Sequence, residues 1–244
     1  MNFDFEKMTT DELNNLTDKL MTGDDGMEKN VVEGASAAKA AADRGDALGL
    51  YNYGRLLFAG IGVEKDEAAA LECWRKSAAQ NFGPALNKVG LCLFFGFCGE
   101  EKAQSEAVAY FEKAAGEGEA ESMFHLSMIY DNGIGVEKDS VTSEKYLVMA
   151  AENKHPDACL MLALKKFADK NGSAVERAEG AALLLTAAEG GNVNAQVMYA
   201  MCCENGIGRE KDLSEAAGWY RRAAKAGNKQ ANNALKNLGF PGVM

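Results

Sequence analysis

Three groups of residues have types and spacings that chemistry can use. Ser36-Ala37-Ala38-Lys39 sets a hydroxyl and an amine one helical turn apart, the S-x-x-K arrangement of an acylating serine and its lysine. Such a site also needs S-D-N and K-T-G elements, and neither occurs. GIGVEKD at Gly60–Asp66 and Gly133–Asp139, with GIGREKD at Gly206–Asp212, places two glycines ahead of a charged tail. A phosphate loop requires Lys-Ser/Thr after its second glycine, and a dinucleotide loop requires a third glycine after a strand. These loops have neither, and their acids lack the alternating oxygen ligands of a calcium loop. His155, Asp157 and Cys159 are metal-ligand types, but Asp157 falls off the helical face the other two share. Zinc-type C-x₂-C pairs are absent. The expectation is no catalytic residue, no metal and no cofactor. His155 then belongs to a turn, and His125 is an ordinary helical polar residue.

The loops matter as a ruler. Successive copies lie 73 residues apart, and weaker versions at Gly96 and Asp169 halve that period to 36 or 37. A small residue precedes each loop (Gly54, Gly90, Ser127, Ala163, Ala200). A small pair follows each loop, from Ser77-Ala78 to Ala223-Ala224, with bulky residues such as Cys73-Trp74 and Trp219-Tyr220 just upstream. A fixed period of this size is the signature of a repeat array. Each half-unit reads as a helix: Met123, Leu126, Ile129 and Tyr130 share one helical stripe. Asp66, Asp139 and Asp212 stand where an N-cap accepts a backbone N–H. Gly45, Gly118, Gly191 and Gly227 stand where a left-handed C-cap is favoured. The fold expected is all-α, built of antiparallel helix pairs that must stack because one pair cannot bury its apolar face.

The residues Ser122, Leu126, Ser127, Tyr130, Gly133, Gly135 and Val136, with Ala216, Trp219, Tyr220, Ala223, Ala224 and Gly227, resemble the Sel-1-like repeat, a relative of the tetratricopeptide repeat. The resemblance runs from about Gly34 to Leu238 and implies a right-handed α-solenoid that acts as a protein-interaction scaffold. The fourth unit departs most, with Lys166 in place of the tyrosine. Some cysteine-rich members are associated with β-lactams, so a repeat-type enzyme of that cell-wall-linked branch is one alternative, and a purely structural, self-assembling solenoid another. The paired cysteines of that branch are missing here, and six scattered cysteines fit buried thiols in a reducing cytoplasm.

In tetratricopeptide-like folds the first helix of each unit lines a concave face. Carried over by register, that implies partner binding by Tyr51, Arg55 and Phe58, then Asn87, Leu91, Phe94 and Phe95, then Phe124 and Met128. Leu160, Leu164 and Phe167 follow, then Val197 and Met201. An apolar strip of this kind suits a partner helix or extended peptide. Asn52, Arg55, Asn87 and Lys88 form a smaller set that could hold a peptide's C-terminal carboxylate, a weaker alternative. The formal net charge of −10 disfavours nucleic acid and anionic membranes, and it favours a partner with basic flanks. Residues 1–30 read as an extension with a short helix over Asp11–Met21 and a linker at Gly23–Gly26, either capping the repeats or free of them. Residues 31–239 carry the repeats, and 240–244 form a tail. Binding is expected on the helices rather than in the loops.

Overall fold

The computed structural model describes residues 3–168 and 172–242. Among them are thirteen α-helices, one short 3-10 turn at Phe5–Lys7 and no strand. The chain divides into two compact units, Met1–Asp139 and Ser140–Met244.

The first unit contains α1 (Thr10–Thr22), α2 (Val31–Asp43), α3 (Ala47–Ala59), α4 (Glu67–Ala78), α5 (Gly83–Phe95), α6 (Gln104–Gly116) and α7 (Ala120–Asn132). Each packs on its chain neighbours. The N-terminal segment is docked, not free. Thr9 and Glu12 cap α1 reciprocally, and Leu13, Leu16 and Leu20 pack against Ala37 and Ala41 of α2. The Arg44 guanidinium donates to the Phe5 carbonyl at 2.6 Å and to the Met8 carbonyl, pinning the 3-10 turn. Neighbouring pairs are stitched by polar bonds, including Asn14 Nδ2 to Asp46 Oδ1 at 2.8 Å and Ser77 Oγ to the Ala47 carbonyl at 2.7 Å.

The small residues ahead of the loops have a steric cause. A Cβ on Gly54 would stand 2.6 Å from Trp74 Nε1, and one on Gly90 would stand 2.7 Å from Phe111 Cε1. In these two pairs the bulky residue of the second helix therefore lies against a side-chain-free spot of the first. The loop glycines do two jobs. Gly60 ends α3 in the left-handed conformation, while Gly62 (φ +70°) presses on α2, where a Cβ would meet the Val31 carbonyl at 2.0 Å. Asp66 then caps α4, accepting the Ala69 N–H at 2.9 Å.

The second unit contains α8 (Ser140–Glu152), α9 (Pro156–Ala168), α10 (Ala174–Glu189), α11 (Val193–Asn205), α12 (Leu213–Lys225) and α13 (Lys229–Asn237). Buried Leu147, Leu184, Tyr199, Tyr220 and Leu235 fill it. The divergent fourth repeat spends its loop on a longer helix: α10 has 16 residues against 13 for its neighbours and starts on a Ser173–Glu176 capping box. Asp169–Asn171 of that weak loop lie outside the described residues. Lys166, where the third unit carries Tyr130, pairs with Glu179 at 2.5 Å. His155 is buried, and its Nδ1 accepts the Ala158 N–H at 3.3 Å, so the ring caps the start of α9.

Candidate partner-binding cleft

The first unit holds an open cleft of about 650 Å³. Its walls come from the first helices of three successive pairs. Thr17, Asp18 and Met21 come from α1, Asn52, Arg55 and Phe58 from α3, and Lys88, Leu91 and Phe95 from α5. Ile61 and Phe97 enter from the loops after α3 and α5, and Trp74 from α4 closes the floor.

The aromatic groups hold one another. Phe58 and Trp74 lie 5.6 Å apart at 43°, and Trp74 Nε1–H donates to the Tyr51 carbonyl at 3.3 Å. Phe95 stacks on Phe97 at 5.5 Å and meets Phe94 edge-on at 5.0 Å. Yet Phe58 is 37% exposed, Ile61 43%, Phe95 47% and Phe97 52%. Four large apolar groups converging on one opening are what a recognition surface presents, because scattered apolar residues need no such arrangement. The Arg55 guanidinium sits 5.7 Å from the Tyr51 ring centroid, within cation–π range.

Of the residues expected to bind, Arg55, Phe58, Leu91 and Phe95 meet in this cleft. Tyr51 and Phe94 are half-buried beside it, against Phe82 and Phe111. Asn87 requires correction. It is 4% exposed, and its Oδ1 accepts the Ser122 hydroxyl at 3.0 Å, so it serves the packing of α5 on α7. Phe124 is half-buried and Met128 exposed on α7, and neither lines the cleft. In the second unit Leu164 and Met201 are exposed, while Leu160, Phe167 and Val197 are half-buried. Phe167 is wedged over Gly180, where a Cβ would come within 2.9 Å.

Two contributions escaped the sequence reading. One wall belongs to α1, whose Met21 was legible only as the end of a short helix outside the repeats. Ile61 and Phe97 sit in the loops, which therefore supply apolar surface as well as turns. Each follows its helix-ending glycine, and that shared position was the available signal.

The other chemistry-bearing groups are satisfied locally. Ser36 Oγ donates to the Val32 carbonyl at 3.0 Å, and Lys39 Nζ pairs with Asp43 at 2.6 Å, which raises the lysine's pKa and makes it a poor base. All six cysteines are free thiols, and burial raises the pKa of five of them besides that of Cys92, whose Sγ lies 3.4 Å from Cys98. No cluster of three metal-ligating side chains occurs among the described residues, and no helix among them is long and apolar enough to cross a membrane.

The family model described as "Sel1 repeat" matches residues 47–82, 83–119, 120–155 and 193–228, passing over the divergent fourth repeat. The chitin synthase regulator SKT5 of Malassezia restricta is 31% identical over 172 residues, covering 68% of this chain but 12% of that protein. Chitin synthase regulatory factor 2 of Schizosaccharomyces pombe is 30% identical over 193 residues, 74% of this chain and 37% of its own length. The chain thus spans a minor part of either relative. Among solved structures, a Sel1 repeat protein from Oxalobacter formigenes superposes with a TM-score of 0.78 at 25% identity, over 96% of this chain and 67% of that one. The uropathogenic Escherichia coli antigen c5321 gives 0.68 at 26% identity, over 98% and 51%.

Proposed function

This chain belongs to the Sel1 repeat family, and we propose that it is a non-enzymatic scaffold that holds an apolar helix or extended segment of a protein partner in the first-unit cleft. The observation that carries this reading is the convergence of exposed Phe58, Ile61, Phe95 and Phe97 on one opening. Burying such side chains in a fitted partner is the usual source of hot-spot affinity. Met128 in the first unit, and Leu164 and Met201 in the second, are exposed on their own first helices and extend the same role within each unit. The net charge of −10 suits a partner with basic flanks outside the cleft. Two relatives named as chitin synthase regulators support a regulatory protein contact, while the object regulated is not carried over. The free thiols fit a cytoplasmic setting.

The test is affinity capture with the full chain and with a Phe58→Asp, Phe95→Asp double variant of unchanged helix content, quantified by mass spectrometry. Proteins captured by the wild type should fall about tenfold or more with the variant, as expected for loss of a central anchor. An identical set of captured proteins would overturn the reading and leave a structural role.

A further inference from the structure

We propose that the segment held in this cleft carries an Asp or Glu side chain beside its apolar anchors, and that Arg55, Lys88 and Asn52 receive that carboxylate. The inference rests on the scaffold reading above and names the chemistry of its partner.

Arg55 and Lys88 come from successive first helices, α3 and α5, and both line the same opening. Among the described residues neither has a carboxylate within ion-pair distance. Lys39, Lys65, Arg75 and Lys76 of the first unit are paired with Asp43, Glu67, Glu100 and Glu72, while Lys29, Lys102, Lys113 and Lys138, which do not line the cleft, also have no carboxylate at that distance among the described residues. In a chain with 36 acidic and 26 basic side chains, partners for a cation are plentiful. Arg55 and Lys88 are set apart by their place, because both stand at the edge of one apolar cleft. Asp18, the one acid in the lining, stands on the α1 wall and pairs with neither. The Asn52 side chain also makes no hydrogen bond within the described residues, so its amide N–H donors are available on the same wall.

The surroundings make the pair more than a solvated surface charge. Lys88 is half-buried. Arg55 lies over Tyr51, which limits where its guanidinium can point. An attraction between opposite charges strengthens as water is excluded, and a partner's apolar side chains would exclude it here. Arg offers a planar fork to both oxygens of one carboxylate, and Lys adds a point charge. The cleft is polarised: Arg55 and Lys88 precede the apolar groups on their helices, with Phe58 and Ile61 following on one side and Phe95 and Phe97 on the other. A segment that passes the cations and continues over those rings presents an internal acidic side chain, not a chain terminus.

The probe is a bead-displayed peptide library with eight randomised positions, acetylated and C-terminally amidated, so that every carboxylate is a side chain. It is sorted on the full chain, on Phe58→Asp, Phe95→Asp, and on Arg55→Met, Lys88→Met, which keeps the apolar stems. The wild type should enrich Asp or Glu next to Phe, Leu, Met or Trp. Arg55→Met, Lys88→Met should keep the apolar preference, lose the acidic one, and bind an enriched peptide about tenfold more weakly. Arg55→Glu, Lys88→Glu should turn the preference to Lys and Arg, a gain that a misfolded variant cannot produce. Apolar enrichment without an acidic preference in the wild type would overturn this inference and leave the scaffold reading standing. Equal enrichment by the wild type and Phe58→Asp, Phe95→Asp would overturn both.

Discussion

The first and third GIG loops differ by a single residue, Val63 against Arg209, yet their surroundings do opposite things. In the second unit Arg209 folds back. Its two terminal nitrogens donate to Glu215 at 2.9 and 2.6 Å, and its guanidinium lies 5.2 Å from the Tyr199 ring centroid. Tyr199 and Tyr220 donate their hydroxyls to Glu215 and Glu204 at 3.1 and 2.8 Å. At the matching places the first unit has Val63, Ala69, Phe58 and Trp74, so no guanidinium–carboxylate clasp forms; Lys65 of that loop lies 5.9 Å from the Phe58 ring centroid and pairs with Glu67, and the apolar groups stay open. The comparison separates what the repeat must conserve from what it can spend. Both loops keep the seated second glycine, and only the residues above it turn one loop into a clasp and the other into the rim of a cleft.

The largest effect is expected where the two loops agree. Gly62→Ala and Gly208→Ala each place a Cβ about 2 Å from a carbonyl, that of Val31 or Arg177, at a left-handed backbone. Each should cost roughly 3 kcal/mol, from overpacking plus the φ penalty. Trp74 reports urea unfolding of the first unit and Trp219 that of the second, because the chain has two tryptophans. A cost below about 1 kcal/mol for either variant would mean that the loops are not seated alike.

Glu215→Gln removes the clasp and should lower the stability of the second unit by about 1 kcal/mol, since the pair is partly exposed. Hydrogen bonding to Arg209 holds the Glu215 carboxyl below its ordinary 4.5. With a depressed folded pKa, the stabilisation is complete above that value and is lost as pH falls below it through the folded pKa. Between pH 6 and pH 3 the Trp219 transition of the wild type should therefore approach that of Glu215→Gln; curves that stay parallel would deny the clasp a role.

A smaller gain should follow from transplanting the clasp. Val63→Arg with Ala69→Glu beside Tyr53 should raise the first-unit transition by about 0.5 kcal/mol while weakening the partner capture tested above. Unchanged capture would show that the open rim is not what admits the partner. The smallest effect concerns the thiols. Burial pushes Cys202 up to about 11, so at pH 8 its thiolate fraction is on the order of one in a thousand. Iodoacetamide should label native Cys202 far more slowly than the urea-unfolded chain, and equal rates would contradict that burial.

Much of the fold was legible because its determinants are local. Asp66 caps the helix three residues ahead, Gly60 ends the one behind, and the Leu13–Leu16–Leu20 stripe needs only helical periodicity. The α1–α2 pair is harder to read, because its connection from Gly23 to Asn30 has no GIG pattern and α2 is alanine-rich. Yet it packs on itself and on α3 as later pairs do. The candidate site was half legible. Register placed Arg55, Phe58, Leu91 and Phe95 on first helices, and they do converge. It also placed Asn87 there, because a residue one helical turn from Leu91 shares its face in sequence. Only Ser122, 35 residues away, shows that Asn87 is covered.

By itself, the sequence determined the period, the helix pairs and the places where chains must turn or touch. Those depend on caps, left-handed glycines and apolar spacing that act within about four residues. The tertiary structure alone decided that α1 walls a cleft, that two loops lend it Ile61 and Phe97, and that Arg55 and Lys88 face one opening without acids of their own. These outcomes depend on the rotation of each helix about its axis, where one residue of register is about 100°. They also depend on contacts across tens of residues that no local pattern encodes.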